Sequence, residues 1–434
     1  MTRRAGYAVL ALCAALLLTA CAAVYGLADR GESPRALPPA PREPLARAIT
    51  GAWTGTWATA PVTGEPGTAH GLPGQSLRNV VHTSVGGTRV RIQLSNLFGT
   101  SPLTVTHASV AVALPGGGAS AVPGTMRRLT FARLGQVTVP AGQAVVSDAA
   151  PLAVPADADL LVTTYSPLSA GPVTYHPQAR QTSYAAHGQH TAAEDGAAYT
   201  RQVTHWRHLT AVDVWSTGAQ GAVAVIGDSL TDGSSSTPDA NHRWTDFLAR
   251  RLRTEPGAPR YGVLNLGISG NRLLRDGGTS PASGERAPAR FERDVLSRTG
   301  VRAVVVELGI NDILKTPHET SPGRITAALR QLTQAAHARG LRVTGATLMP
   351  FAGHPRWSPA LERVRTQVNR QIRAGGVFDA VVDFDAMVRD PHHPERLRTA
   401  YDCGDHLHLT DEGYEAMARL IDPAQLRGTT QAAL

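Results

Sequence analysis

The chain has 434 residues and a net charge of +8, and Lys315 is the one lysine among its 42 basic residues. At roughly 100–200 residues per domain, this length predicts two or three domains and a sizeable buried core. No basic run is interleaved with aromatics, and only 5% of residues are aromatic. Both a phosphate-tracking stripe and a base-stacking platform are therefore missing, which speaks against nucleic acid as a partner.

The chain opens with "MTRRAGYAVLALCAALLLTACAAVYGLADRG". Arg3 and Arg4 precede an apolar stretch from Tyr7 that ends in small residues, the pattern of an export signal over residues 1–30. Within it, "LTAC" at Leu18–Cys21 is similar to the bacterial lipoprotein box, which implies lipidation of Cys21. A cleaved secretory peptide and an uncleaved apolar anchor are the other readings. All of them predict an extracellular protein or one held at the outer face of the membrane. After the signal, Cys403 is the sole cysteine, which excludes an internal disulfide framework and a cysteine-based metal site. "GESPRALPPAPREP", within residues 31–50, reads as an extended proline-rich linker.

Residues 51–217 carry short strand-like runs punctuated by Gly and Pro: "TRVRIQLSN", "LTVTHASVAVAL", "QVTVP" and "DLLVTTYS". In the first, Val90, Ile92 and Leu94 alternate with Arg91 and Gln93, the period of a strand with one buried face. An all-β, sandwich-like domain is predicted. His187 and His190 lack a third ligand at suitable spacing, so a polar loop is expected there rather than a metal site.

Over residues 218–434 the rhythm changes to strands alternating with helices. "AVAVI", "YGVLNL", "VRAVVVEL", "VTGATLMPF" and "DAVVDF" supply strands. Trp244, Phe247, Leu248 and Leu252 mark one amphipathic helix. Ser321–Pro322 and Ser358–Pro359 are N-cap and first-turn pairs opening two more, and Thr410 caps a last. Such alternation predicts an α/β domain with a parallel sheet, its functional loops lying at the carboxyl ends of the strands.

Ser229 follows the first of these strands. A serine hydroxyl is a weak nucleophile that needs a base within reach and a third group to orient that base. "YDCGDHLHLTDEGY" offers Asp405 and His408, but also Asp402 and His406, and local chemistry does not choose between the histidines. "NLGISGN" places Gly270, and "ELGINDIL" places Asn311, after two further strands, where each could donate hydrogen bonds to an oxyanion. Taken singly, every one of these segments reads as an ordinary turn.

In this order, "GDSL" at Gly227–Leu230, Gly270 in "GISGN", "GIND" at Gly309–Asp312 and "DHLH" at Asp405–His408 resemble the four blocks of the SGNH (GDSL) hydrolases. The resemblance implies a flavodoxin-like three-layer fold and serine-dependent ester hydrolysis without cofactor or metal. It implies Ser229 as nucleophile, His408 as general base, and Asp405 orienting His408. The oxyanion donors would be the N–H groups of Ser229 and Gly270 and the side-chain amide of Asn311. Two positions depart from the family pattern: Leu409 stands where many members have proline, and His406 where a small residue is common. Thr231 in place of a second Gly argues against the nucleophile elbow of α/β-hydrolases. Trp53, Trp57, "LRNVVHTSVGGTRVRIQLSN" and "QTSYAAHGQHT" are similar to the β region of two-domain bacterial esterases of xylan-degrading clusters.

The expected function is an exported esterase acting on short, chiefly acetyl, esters, with small esters or acetylated polysaccharide as substrate. A lipase or broad arylesterase, an acyltransferase, and a non-catalytic carbohydrate-binding envelope protein are the alternatives.

Overall fold

The computed structural model describes residues 51–278 and 280–428. The export signal with Cys21 and the proline-rich linker lie outside them. Among the described residues no helix is long and apolar enough to cross a membrane.

The N-terminal part is antiparallel. A five-stranded sheet takes Ala52–Ala58, Leu209–Ser216, Gly87–Ser95 and Ala150–Val154 in that spatial order, with Ala144–Val146 also paired to Gly87–Ser95. A six-stranded sheet centres on Gln75–His82 and Asp159–Ser166. Val90, Ile92 and Leu94 from the first sheet share one apolar core with Val81, Val110 and Val162 from the second, so the two sheets form a sandwich. On the polar face of Gly87–Ser95, Arg89 is exposed, whereas Arg91 and Gln93 turn toward the C-terminal part. Arg91 donates to Asp213 (2.9 Å) and to Thr299 Oγ1 (3.2 Å), and Gln93 accepts from Arg298 (2.8 Å). Its period-two pattern therefore separates an apolar core from a hydrogen-bonded seam with the C-terminal part.

The C-terminal part is a parallel sheet of β1 (Gly221–Gly227), β2 (Tyr261–Gly267), β3 (Val301–Glu307), β4 (Arg342–Ala346) and β5 (Ala380–Val382). Their spatial order is 2-1-3-4-5, the flavodoxin-like order. Both faces are covered, which is why its strands read as unbroken apolar runs. Ala222, Ala224 and Ile226 face a core shared with the helices Pro322–His337 and Pro359–Arg373, while Val223 and Val225 face Trp244, Phe247 and Tyr414. Ser358 Oγ and Thr410 Oγ1 cap their helices by accepting from Leu361 and Gly413 N–H. Ser321 sits at the predicted N-cap but makes no side-chain cap bond.

The two parts pack into one compact unit. The joint is tightest where strand Ala52–Ala58 crosses edge strand β2: Gly55 N–H donates to Thr299 O (3.0 Å), and Ser84 Oγ accepts from Val263 N–H (2.9 Å). A methyl group on Gly262 would stand 2.1 Å from Gly55 O, closer than any real contact and against backbone that has little freedom to yield. Gly262→Ala should therefore cost about 1–3 kcal/mol of stability, read as a lowered midpoint in denaturant unfolding.

Candidate active site

β1 ends at Gly227, and Asp228 caps the single turn Ser229–Asp232 by accepting from Leu230 N–H at 3.1 Å. Gly233, in the left-handed region at φ 93°, closes the turn onto Ser229 O. This reversal sets Ser229 at the carboxyl end of the sheet, 8% exposed. His408 Nε2 lies 2.8 Å from Ser229 Oγ, and His408 Nδ1 lies 2.6 Å from Asp405 Oδ2. The other carboxylate oxygen of Asp405 accepts from the N–H groups of Leu407 (2.9 Å) and His408 (2.8 Å). Partial burial alone would raise the pKa of Asp405. The His408 side chain and these backbone donors outweigh it and hold the carboxyl well below the usual range.

The competing pair is present but points elsewhere. His406 Nδ1 is 2.6 Å from Asp402 Oδ2, in an exposed part of the same loop. His406 adopts φ 63°, a left-handed conformation that favours residues without a bulky side chain, which accounts physically for a small residue suiting this position. Its ring packs where a side chain on Gly353 would otherwise go. Cys403 is exposed in this loop, its N–H donating to His408 O at 3.2 Å.

The three expected oxyanion donors surround the same turn. Among the described residues, neither Ser229 N–H nor Gly270 N–H is paired with an acceptor. Gly270 has φ 79°, a left-handed conformation that favours glycine, and a Cβ there would displace the end of the Lys315 side chain, 2.1 Å away at Nζ. The Asn311 side chain donates to Asp228 Oδ2 at 3.0 Å, which leaves one amide hydrogen unspent. His187 is exposed at the end of strand Ser183–His187 rather than in a loop, and its carbonyl lies 2.8 Å from Nε2 of His190, which is in the loop that follows.

Four supporting residues escaped sequence reasoning. Asp228 is completely buried, and that burial pushes its pKa up to about 7. Glu307, at the end of β3, is raised well above its ordinary value by burial and then by Asp228, and it accepts from Thr231 Oγ1 at 3.0 Å. Its one visible sign is an acid ending the apolar run "VRAVVVEL". Arg290 is also fully buried and donates to Asn271 Oδ1 (3.0 Å), Leu266 O (2.8 Å) and Gly227 O (3.3 Å). Burial lowers its pKa to about 10, against the opposing effect of Asp294. His176, from the antiparallel part, reaches Asp232 Oδ1 at 2.9 Å, and Asp232 Oδ2 in turn accepts from Ser269 N–H and Ser269 Oγ (2.9 and 2.7 Å). The β sandwich thus braces the loop that carries Gly270.

Residues 225–416 match the family described as GDSL-like Lipase/Acylhydrolase. Similar solved structures include a GDSL-like lipase from Bacteroides thetaiotaomicron, at 19% identity over 48% of this chain and 88% of that one, with a TM-score of 0.35. A catalytic mutant of an acetylxylan esterase from Geobacillus stearothermophilus is 20% identical over 47% and 93%, with a TM-score of 0.33. A family two carbohydrate esterase from Clostridium thermocellum, in complex with cellohexaose, is 15% identical over 85% and 92%, with a TM-score of 0.35. No curated protein matches the chain.

Asp228 ionises near 4 in an unfolded chain and near 7 when folded. Between those values the folded state keeps a proton that the unfolded state has released, so this group's contribution to stability falls as pH rises from about 4 to about 7. Asp228→Asn removes the dependence. The midpoint temperature of the variant should therefore gain on that of the wild type across this window in thermal unfolding scans.

Proposed function

The chain carries a GDSL-like lipase/acylhydrolase domain over residues 225–416, and on that premise we propose that it is an exported serine esterase that removes short acyl groups, chiefly acetyl, from small or polysaccharide-borne esters. The observation that carries the reading is the continuous chain Ser229 Oγ to His408 Nε2 (2.8 Å), His408 Nδ1 to Asp405 Oδ2 (2.6 Å). These are hydrogen-bond distances suited to general base catalysis.

In this mechanism His408 Nε2 takes the Ser229 hydroxyl proton as Oγ bonds to the ester carbonyl carbon. Asp405 fixes the ring and stabilises the imidazolium that forms. The carbonyl oxygen becomes an oxyanion held by Ser229 N–H, Gly270 N–H and the free Asn311 amide hydrogen. Collapse breaks the bond to the alcohol oxygen, which leaves with the proton from His408. Water, deprotonated by the same nitrogen, then releases the acid and restores Ser229.

A short acyl preference is supported by the polar surroundings of the triad: His406 beside Gly353, His354 within electrostatic reach of Asp405, and Lys315 next to Gly270. A long acyl chain would need an apolar groove. Export to the outer face of the membrane or beyond is supported by the N-terminal sequence pattern, with Cys21 as its lipidation site in one form of the proposal.

Ser229→Ala and His408→Ala should each reduce kcat on an activated acetate ester by about 10³–10⁶-fold, whereas His406→Ala should stay within about fivefold of the wild type. Steady-state hydrolysis by the three purified variants checks this. Equal losses for the two histidine variants would shift the base assignment.

A further inference from the structure

A cavity of about 380 Å³ opens beside Gly270, lined by Arg272, Arg275, Lys315 and Arg356 with Asp276 as its one carboxylate. Such a concentration of positive charge departs from the rest of the molecule, where arginines commonly pair with acids. Asp276 is committed to Arg286, 3.3 Å from its Nη1 and accepting its N–H at 2.9 Å. Arg272 is 6% exposed, and its nearest carboxylate, Asp312 at 3.8 Å, already accepts from Leu273 and Leu274 N–H. One Arg272 Nη donates to Pro317 O (2.7 Å), and its Nε has no hydrogen-bond partner.

Among the described residues, Arg275, Lys315 and Arg356 form no ion pair with any carboxylate. Lys315 Nζ instead donates to Gly270 O and Ser283 Oγ, both at 3.0 Å. Two further acids act on the group without pairing with it: Glu319, which pairs with Arg324 at 2.8 Å, and the buried Asp228, within electrostatic reach of Lys315. Gathering like charges around one concavity is unfavourable until an anion fills it, and a cleft lined by one sign of charge focuses its field on ligands of the other.

Gly270 belongs to both the cavity and the expected oxyanion site, so a group in the cavity lies on the same small molecule, or the same sugar unit, as the ester being cleaved. We infer that the cavity of Arg272, Arg275, Lys315 and Arg356 seats an oxyacid group, carboxylate or phosphate, carried by the alcohol part of the substrate. This deepens the acetyl-esterase reading and rests on it, because an acetyl group has no charge to offer and the acid must then belong to the alcohol. The substrate class becomes acetyl esters of acidic alcohols, such as an acetylated uronate or sugar phosphate. Guanidinium forks suit the planar or tetrahedral oxygens of either group, and the ammonium adds a point charge.

The test compares phenyl acetate with 4-acetoxybenzoate and 4-acetoxyphenyl phosphate, using the purified chain at low ionic strength. At least one acidic ester should show a kcat/KM about tenfold or more above phenyl acetate, mainly through KM, and sodium chloride should erode that advantage. Preference for the carboxylate alone identifies a uronate-type partner, and preference for the phosphate alone a phosphorylated one. Arg275 and Arg356 are exposed, so the double variant Arg275→Gln/Arg356→Gln should fold, and in it the ratio of acidic to neutral kcat/KM should fall to about threefold or less. Glucuronate or inorganic phosphate should inhibit phenyl acetate hydrolysis competitively where glucose does not. Hydrolysis of phenyl acetate as fast as both acidic esters, or a preference that survives in the double variant, overturns the inference and leaves the esterase reading standing. Failure to hydrolyse any of the three esters overturns both.

Discussion

The carboxyl group of Asp228, shut off from water, holds Leu230 N–H on one side and the Asn311 amide on the other. Burying an acid costs several kcal/mol unless its oxygens are satisfied, and here both are. These bonds tie the nucleophile's turn to the short helix that follows β3. The raised pKa has the same origin, since burial disfavours the charged carboxylate. Arg290 meets the same strand ends from a different direction by donating to the carbonyls of Gly227 and Leu266. Two buried polar groups thus keep the loops after β1, β2 and β3 at fixed separations, and an oxyanion site drawn from three loops depends on those separations.

The β sandwich takes part in this arrangement. His176 extends it to Asp232 in the nucleophile's own turn, and Asp232 carries it to Ser269, one residue before Gly270. His176 is itself held by Ala60 O at 2.7 Å and packs against Trp206. Position in the hydrolytic part is therefore partly set by side chains that belong, along the sequence, to the other part. The polar seam of Arg91, Gln93, Asp213, Arg298 and Thr299 gives the contact a defined register, which an apolar seam would specify less sharply.

Much of the fold was legible because its signals are periodic. Val90, Ile92 and Leu94 alternate as a strand must, and Ser358–Pro359 and Thr410 open helices where capping chemistry places them. The order of four short blocks pointed to Ser229, Gly270, Asn311, Asp405 and His408, and the structure brings these five around one turn. The choice between His406 and His408 was not legible from local chemistry: both have an aspartate partner, and only the three-dimensional path of the loop brings one of them to Ser229. His176, Glu307 and Arg290 were invisible for a related reason. Each contributes through a contact distant in sequence, and a lone histidine, a strand-end acid or an arginine in "APARFERD" carries no local pattern that distinguishes it from a surface residue. The grouping of Arg272, Arg275, Lys315 and Arg356 likewise depends on three loops meeting beside Gly270.

Strand β2 lies at the margin of the parallel sheet, where unpaired backbone groups would ordinarily form a template for another chain's strand. Here strand Ala52–Ala58 crosses that margin, and the hydroxyl of Ser84 takes up the N–H of Val263. The same glycine-to-glycine approach that joins the two parts thus acts as a guard against self-association. For an enzyme proposed to work outside the cell, a concealed sheet edge matters as much for solubility as for catalysis, and it makes the sandwich a built-in protective cover as well as a support for the site.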